Sequence, residues 1–344
     1  MLDTPRLKSI LASFPQLSIA LVGDLFLDRY LDIKPDVREL SIETGLEAYQ
    51  VLRVRNSPGA LGTVINNLAA LGVGTLRPVT VVGDDGHGYD LLQELRRLRI
   101  DDSFIVQDPK RLTPTYTKPL RQNEQGATVE LNRFDVRSRE PLSSSTSERL
   151  CQLLRLAFEK SHGLIVLDQI EEPNCGVVNQ QVRDVLAELA RDHPQKLIFI
   201  DSRAHLGDFS CGTLKGNCSE LLSAVEPTGD CAAPVREAVQ DAAQQLAQRT
   251  QTVVYATLGA EGILLAKPDG DVALLPGRTA RGPIDIVGAG DSATSGIVAS
   301  LLSGADESEA AQVGNLVASI TIEQLGETGT ATPEQVMARL KTEY

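Results

Sequence analysis

The 344-residue sequence predicts an α/β fold in which helices cover both faces of a doubly wound parallel sheet. Short apolar runs typical of buried strands alternate with longer segments of helical periodicity over nearly the whole chain. Only two stretches, at about 31–55 and 113–134, replace this alternation with period-2 patterns. We therefore expect one domain over residues 1–344, with a small accessory β-sheet inserted into it.

The predicted strands are short, continuous apolar runs, which is the pattern of strands that are buried on both faces. They lie at 18–22, 75–82, 163–167, 196–200, 252–257 and 263–266. The predicted helices carry apolar residues at three- and four-residue spacing. They lie at 61–71, 90–98, 145–158, 179–191, 234–248, 290–302 and 308–324. This order of strands and helices is typical of βαβ units.

The two exceptional stretches alternate polar and apolar residues, as in EAYQVLRV at 47–54 and TVELNRF at 128–134. Such alternation indicates half-exposed strands outside the main sheet. Together they would form a lid over the carboxyl edge of the sheet, where open α/β folds bind their ligands. Plain surface loops are the alternative.

Composition restricts the class of protein. Hydrophobic residues (42%) and charged residues (23%) have the proportions of a globular protein, which excludes disorder. The net charge of −13 argues against a nucleic-acid surface, because phosphate contacts need clustered cations. The apolar runs are far shorter than the ~20 residues that span a bilayer, and the N-terminus has no signal-like core. We expect a cytoplasmic protein without nucleic-acid or membrane partners.

Cysteine and histidine give no sign of a metal site or a disulfide framework. Five cysteines form an odd set without a C-x-x-C pair, and the four histidines have no ligand-like spacing. We expect reduced thiols.

The sharpest signal is a glycine-rich segment, DIVGAGD at 285–291, that leads into a helical pattern. The backbone N–H groups of Gly288, Ala289 and Gly290 would converge at a helix N-terminus, which favours an anion such as a phosphoryl group. Asp291 would lie in the first turn. Its carboxylate would either complement the helix dipole or accept a proton from a hydroxyl that attacks the phosphoryl group.

Two other interpretations of this segment remain open. GAGDSA also fits the dinucleotide pattern G-x-G-x-x-A, which would indicate a nicotinamide-dependent dehydrogenase. That pattern normally follows the first strand, whereas here it starts at residue 288. An ordinary helix cap would explain the glycines but not the aspartates on both sides of them.

Six motifs in the same order resemble those of the ribokinase-like sugar kinases, also called the phosphofructokinase B family, and most closely the D-glycero-β-D-manno-heptose-7-phosphate kinase branch. They are GDLFLDRY at 23–30, PGALG at 58–62, TYTK at 115–118 with LNRFD at 131–135, NCSE at 217–220, TLGAEG at 257–262 and DIVGAGD at 285–291. The resemblance covers about residues 17–340. It implies a three-layer α/β/α domain with a β lid.

The resemblance also implies roles on the nucleotide side of the site. Asp291 would activate a sugar hydroxyl, while the amides at 288–290 stabilise the γ-phosphoryl group of ATP. Asn217 and Glu220 match residues that hold the phosphate and, through water, Mg²⁺. The remaining matches, which would border the nucleotide and its adenine, are Thr257, Gly259, Gly262 and Asn315.

On the acceptor side, the resemblance implies that Asp28 binds sugar hydroxyls, with Gly59 and Asn67 near the same pocket. Lys118 and Arg133 would be cations for a phosphate already present on the sugar. Structural alternatives exist for several of these motifs. N-x-x-E is also a capping-box pattern, the glycines at 257–262 fit a hairpin turn, and Lys118 and Arg133 fit edge-strand charges.

Departures from the family pattern lie mainly near the sugar. Ala60 replaces the second of two glycines, Thr63 an asparagine, and Ile286 a threonine. DQIEE at 168–172 stands where the heptose branch has D-Y-x-K-G, and no H-x-G-H nucleotidyltransferase motif follows. We expect an ATP- and Mg²⁺-dependent sugar or sugar-phosphate kinase with a single activity, and a catalytically idle binding protein is the alternative. Exposed ribbon edges predict a homodimer through the lid.

Overall fold

The computed structural model describes residues 2–34, 37, 39–98, 100–123, 125–226, 236–326 and 328–341, and its elements are numbered in chain order. The strands are β1 (Ser18–Gly23), β2 (Leu25–Ile33), β3 (Glu39–Leu40), β4 (Glu47–Ala48), β5 (Val51–Ala60), β6 (Thr75–Gly83), β7 (Ile105–Asp108), β8 (Thr115–Gln122), β9 (Thr128–Glu130), β10 (Phe134–Val136), β11 (Gly163–Asp168), β12 (Leu197–Ser202), β13 (Thr213–Asn217), β14 (Val254–Thr257), β15 (Gly262–Ala266) and β16 (Val272–Pro276). The helices are α1 (Thr4–Ser13), α2 (Leu61–Ala70), α3 (Gly86–Arg97), α4 (Ser144–Glu159), α5 (Gln180–Asp192), α6 (Cys218–Val225), α7 (Arg236–Thr250), α8 (Ala289–Leu302), α9 (Glu307–Thr321) and α10 (Pro333–Lys341).

The large sheet has the strand order β16-β15-β14-β13-β12-β11-β1-β6-β7. The strands from β14 to β7 run parallel, and β15 and β16 add an antiparallel edge. Because neighbouring parallel strands end at the same edge, the residues that follow β1, β11, β12, β13 and β14 lie close together. That edge is where open α/β folds place their ligands.

Helices cover both faces of this sheet. Along β1, Ile19 and Leu21 belong to one hydrophobic core, and Ala20 and Val22 belong to the other. The first core includes residues of α2, α8 and α9, and the second includes residues of α4, α5 and α7. A strand that packs on both faces needs a continuous apolar run, as the sequence has. The predicted three-layer α/β/α fold is confirmed.

A second sheet has the order β10-β8-β2-β5, with β9 paired to β8, and we call it the lid. Its strands extend over 25–60 and 115–136, so the expected bounds of 31–55 and 113–134 need correction. The first segment starts earlier because the chain passes from β1 into β2 with only Asp24 between them. The buried Asp24 carboxylate accepts hydrogen bonds from the backbone N–H groups of Gln169, Ile170 and Val177, at 3.0, 3.2 and 2.7 Å.

Several short elements escaped the sequence prediction. In the central sheet these are β7, β13 and β16, and among the helices α1, α6 and α10. The segment TLKGN of β13 includes a lysine and a glycine in place of an apolar run, although Leu214, Lys215 and Gly216 are all buried. The helix expected at 234–248 extends over Arg236–Thr250, and residues 234 and 235, like Cys231, lie outside the described residues.

None of the helices in the described ranges is both long enough and apolar enough to span a bilayer.

Candidate active site

The N-terminus of α8 opens at the carboxyl edge of the sheet, as the late motif predicted. Gly288 is the N-cap residue and has φ +79°, a left-handed conformation that glycine adopts without steric cost. Within the described part of the chain, no side chain caps this helix end. The Ala289 N–H donates to the carbonyl oxygen of Ile286 at 3.2 Å, and the first-turn amides that follow it are oriented to bind an anion.

Asp291 lies in this first turn, and its environment perturbs its ionisation. Loss of hydration raises the pKa of Asp291 to about 7, and the neighbouring carboxylates of Asp201, Glu220 and Asp28 act in the same direction. Lys215 opposes them. A carboxylate with a pKa near 7 is suited to accept a proton at neutral pH.

Lys215 and Asp201 are functional candidates that the sequence analysis missed. Lys215 on β13 donates a 2.7 Å hydrogen bond to Asp201 on β12, and both side chains are buried. Thr294 of α8 donates to the same Asp201 oxygen at 2.9 Å. The only available signal was a lysine two residues before the N-x-x-E motif, which indicates neither burial nor a partner.

Asn217 and Glu220 form a capping box at the start of α6. Asn217 Oδ1 accepts from the backbone N–H of Glu220 at 3.0 Å, and Glu220 Oε2 accepts from that of Asn217 at 2.7 Å. The structural interpretation of N-x-x-E is therefore correct. A role at the site remains compatible with it, because Glu220 is close enough to Lys215 and Asp291 to affect the pKa of each.

Glu220 is the residue at this edge of the sheet that could bind Mg²⁺. Burial raises the pKa of Glu220 and Asp201 adds to the effect, whereas Lys215 and Arg203 oppose it. Mg²⁺ commonly binds one or two carboxylates, substrate phosphates and water. Glu220 suits that mode, whereas a site made of protein ligands alone would need a larger cluster. Among the described residues, no group of three or more His, Cys, Asp or Glu could hold a metal ion.

The residues expected at the nucleotide border the same edge farther along the sheet. Thr257 ends β14 and pairs with Asn217 at the end of β13. Gly259 and Gly262 lie in the turn of the β14–β15 hairpin, so the hairpin-turn interpretation of these glycines is correct. Asn315 of α9 donates to the carbonyl oxygens of Leu275 and Pro276 at 3.0 and 3.1 Å, which fixes the end of β16.

The lid contributes a second group of side chains. Lys118 of β8 forms an ion pair with Asp28 of β2 at 2.9 Å, and its ammonium lies 5.0 Å from the centre of the Tyr30 ring. A Cβ atom on Gly59 would lie 2.4 Å from Asp28 Oδ2, so a larger residue here would displace the Asp28 carboxylate. Since β8 lies between β10 and β2, Lys118 is not an edge-strand charge. The charge of Asp28 also raises the pKa of Asp291, so the lid affects the ionisation of a residue at the helix terminus.

Arg133 lies beside this group. Its guanidinium forms two hydrogen bonds with Asp135, at 2.6 and 2.8 Å, and lies 4.3 Å from the centre of the Tyr116 ring. Arg137 donates to the Tyr116 hydroxyl at 2.8 Å. Tyr116 pairs with Asp28 across the β2–β8 ladder, so the two arginines flank the same face of the lid.

Asn67 occupies a different environment. Its side chain is fully buried on α2 and donates to the carbonyl oxygens of Thr63 and Gly329 at 3.0 and 3.4 Å. Its own Oδ1 is buried and has no hydrogen-bond partner in the described structure. Asn67 therefore connects α2 to the segment that follows α9. Thr63 lies nearer the site, since a Cβ atom on Gly288 would be 3.4 Å from its methyl carbon.

The acidic segment that replaces D-Y-x-K-G is balanced by arginines. Glu171 forms an ion pair with Arg203 at 3.1 Å, and Glu172 lies 4.0 Å from Arg139. The two extra carboxylates thus have cationic neighbours on the protein itself.

Comparison with known proteins gives concordant results. A profile described as pfkB family carbohydrate kinase matches residues 25–335. The bifunctional protein HldE of Trichlorobacter lovleyi is 28% identical over 353 residues, which cover 100% of this chain and 67% of that protein. The HldE protein of Rhodospirillum rubrum is 30% identical, over 99% of this chain and 65% of that protein. The chain thus spans about two thirds of the length of these relatives.

Solved structures share the fold at low sequence identity. A ribokinase of Arabidopsis thaliana complexed with ribose and ATP superposes with a TM-score of 0.68 and 16% identity, over 95% of this chain and 99% of that chain. A putative phosphofructokinase of Staphylococcus aureus gives a TM-score of 0.68 and 16% identity, over 93% of this chain and 95% of that chain.

Ala60, between the lid and α2, has a strained backbone. Its φ of +52° with ψ of −116° suits glycine, and side-chain-bearing residues there incur about 1–3 kcal/mol of strain. We expect Ala60→Gly to raise the free energy of unfolding by about 1 kcal/mol, measured by urea denaturation. Ala70→Gly, within α2, should lower it by about 1 kcal/mol. A loss of stability in both variants would contradict the strain at Ala60.

Proposed function

Because the chain belongs to the pfkB family of carbohydrate kinases, we propose that it transfers the γ-phosphoryl group of ATP to a hydroxyl group of a sugar or sugar phosphate. The family resemblance inferred from the six motifs is confirmed. The assignment overturns the dehydrogenase interpretation of GAGDSA, and it favours an enzyme over an idle binding protein of the same fold.

One observation carries the proposed mechanism: the Asp291 carboxylate lies in the same helical turn as the amides that favour an anion. The acceptor hydroxyl would give its proton to Asp291 as its oxygen attacks the γ-phosphorus. The backbone N–H groups of Gly288, Ala289 and Gly290 would stabilise charge on the transferring group. Such a site acts by positioning the reactants and by stabilising the charge of the transition state, because phosphoryl transfer requires little covalent chemistry from the protein.

Mg²⁺ would bind near Glu220, with water and the ATP phosphates completing its ligands. It would supply charge neutralisation at the phosphates. Asn217 would hold the same end of the nucleotide. Thr257 and the turn glycines Gly259 and Gly262 would border the nucleotide. Asn315 would act at the adenine end of the nucleotide, because its side-chain hydrogen bonds fix the end of β16.

On the acceptor side, Asp28 and Lys118 would bind neighbouring hydroxyl groups of the sugar, one as acceptor and the other as donor. Gly59 allows this placement of Asp28, and Asn67 would act indirectly, through its bonds to Thr63 and Gly329. Arg133 would be the cation for a phosphate on the acceptor, which would have to compete with Asp135 for its guanidinium. This arrangement favours an acceptor similar to heptose 7-phosphate. We expect the protein to act in the cytoplasm.

We expect Asp291→Asn to lower the rate of ATP-dependent transfer by about 100- to 10,000-fold, because asparagine cannot accept the hydroxyl proton. ADP production would be measured against a panel of aldoses, ketoses and sugar phosphates that includes heptose 7-phosphate, and the product would be identified by ³¹P NMR. Nucleotide binding, measured by calorimetry, should persist.

The same base predicts a pH dependence. Since Asp291 acts when ionised and its pKa is raised to about 7, the rate should fall as the pH drops below about 7. Asp306→Asn, at the N-cap of α9, removes an equal charge and keeps the cap, so it should change neither rate nor profile. Full transfer activity in Asp291→Asn would disprove the assigned base.

Glu220→Gln separates the capping role from the metal role. Glutamine also completes a capping box, so we expect the free energy of unfolding to stay within about 0.5 kcal/mol of the unaltered protein. The Mg²⁺ concentration that gives half the maximal rate should rise several-fold, because the carboxylate charge is lost. Glu220→Ala should show both defects. An unchanged Mg²⁺ requirement in Glu220→Gln would leave Glu220 as a cap alone.

We further propose a homodimer formed through the lid. Val54, Val129 and Phe134 are 45%, 44% and 63% exposed, and they pair with Leu31, Arg121 and Thr117. This register puts them on the sheet face opposite to Asp28 and Lys118. An exposed apolar sheet face is unusual in a monomer, and two copies of the same face are complementary about a two-fold axis.

Replacing both Val54 and Phe134 by lysine should convert a dimer to a monomer, because the buried lysines would have no anionic partners. Light scattering coupled to size-exclusion chromatography would report the mass. Tyr89→Lys, at an exposed tyrosine of α3, should leave the dimer intact. A monomeric mass for the unaltered protein would rule the dimer out.

A further inference from the structure

A buried ion pair lies behind the N-terminus of α8. The side chains of Lys215 and Asp201 are each 5% exposed, and Lys215 Nζ lies 2.7 Å from Asp201 Oδ2. The Thr294 hydroxyl donates to the same oxygen at 2.9 Å, so Asp201 is fixed by a second element. Buried ion pairs contribute little to stability compared with apolar residues of similar size, because both charges lose their hydration. Stability alone therefore gives a weak reason for this pair.

The Lys215 ammonium lies against the backbone that would hold the phosphoryl group. A Cβ atom on Gly290 would be only 3.0 Å from Lys215 Nζ, so glycine at this position lets the ammonium approach the helix terminus. Burial alone would lower the pKa of Lys215, but Asp201, Glu220 and Asp291 raise it overall. The side chain is therefore a cation held beside a helix N-terminus. The ammonium of Lys215 and the positive end of the α8 dipole would both attract an anion bound there.

We propose that Lys215 is a further catalytic residue, which binds the γ-phosphoryl group during transfer, and that Asp201, fixed by Thr294, is the residue that positions it. This inference rests on the proposed kinase function and adds a residue to it. Lys215 approaches the helix terminus from the side of β13, whereas the acceptor approaches from the lid. The phosphoryl group would lie between them.

The chemical step leaves Lys215 unchanged. The acceptor oxygen forms a bond to the γ-phosphorus as the bond from that phosphorus to the β–γ bridging oxygen breaks. ADP leaves with the electron pair, and the acceptor proton goes to Asp291. Lys215 remains an ammonium throughout and exchanges no proton, so its contribution is charge stabilisation.

The proposal predicts a loss of discrimination between ATP and ADP. Because ADP lacks the group that Lys215 would contact, Lys215→Met should weaken binding of the β,γ-imido analogue of ATP about tenfold or more, as expected for a lost charge-assisted hydrogen bond. ADP affinity should change by less than about threefold. Both affinities would be measured by calorimetry with Mg²⁺ and without an acceptor, so identification of the sugar is not required.

Two variants control for damage to the buried pair. Asp201→Asn keeps the ammonium and an oxygen that can accept from Lys215 and Thr294, so it should retain the preference for the ATP analogue. The double variant Asp201→Asn with Lys215→Met contains no unpaired buried charge, and it should fold and lose the preference.

The outcomes distinguish this inference from the proposed function. Equal weakening of both nucleotides in the two variants that lack Lys215 would overturn the role of Lys215. Loss of the preference in Asp201→Asn would show that Lys215 needs the carboxylate charge of Asp201 to hold its position. Absence of nucleotide binding in the unaltered protein would instead overturn the kinase function on which the inference rests. Selective loss of the ATP analogue only where Lys215 is missing would establish the proposal.

Discussion

The charge balance at the N-terminus of α8 is the constraint on which the candidate site depends. The helix amides and Lys215 supply the positive side, and Asp201, Glu220, Asp28 and Asp291 supply the negative side. These groups come from the central sheet, two helices and the lid, so the fold must bring all of them to one edge before the balance exists. Parallel strand order does this, because it aligns the ends of β12 and β13 beside α8.

Direct contacts at α8, rather than the net charge of the chain, would decide whether this acidic protein binds an anion. The net charge of −13 belongs to the whole surface, and exposed charges are screened beyond about 8–10 Å at physiological salt. A phosphoryl group at α8 would instead meet backbone N–H groups and one buried lysine within contact distance. The overall charge therefore argues against an extended nucleic-acid surface without arguing against a single nucleotide.

The sequence was most informative where one pattern served both the fold and the site. It predicted α8 to within one residue, because the glycine-rich segment marks a helix start and the apolar spacing marks its buried face. It missed β13 and the pairing of Lys215 with Asp201, since a five-residue strand with a lysine in it has no periodicity to detect. It also left N-x-x-E undecided, and the structure contains the capping box without excluding a second role.

Most of the family departures lie at the junction of the lid with α2 and in the loop after β11, whereas the motif at the start of α8 departs only at Ile286. The helix terminus, Lys215 and Glu220 belong to the central domain, where the glycines and acids of the motif are kept. Ala60 lies at the junction with the lid, and Glu171 and Glu172 lie in the loop after β11. That loop is held by Asp24, directly before β2, so it is tied to the start of the lid rather than to the end of β13 or the start of α8. On the proposed function, a fold arranged in this way could change its sugar without rebuilding its phosphoryl site, and the charge of Asp28, which raises the pKa of Asp291, would couple the two.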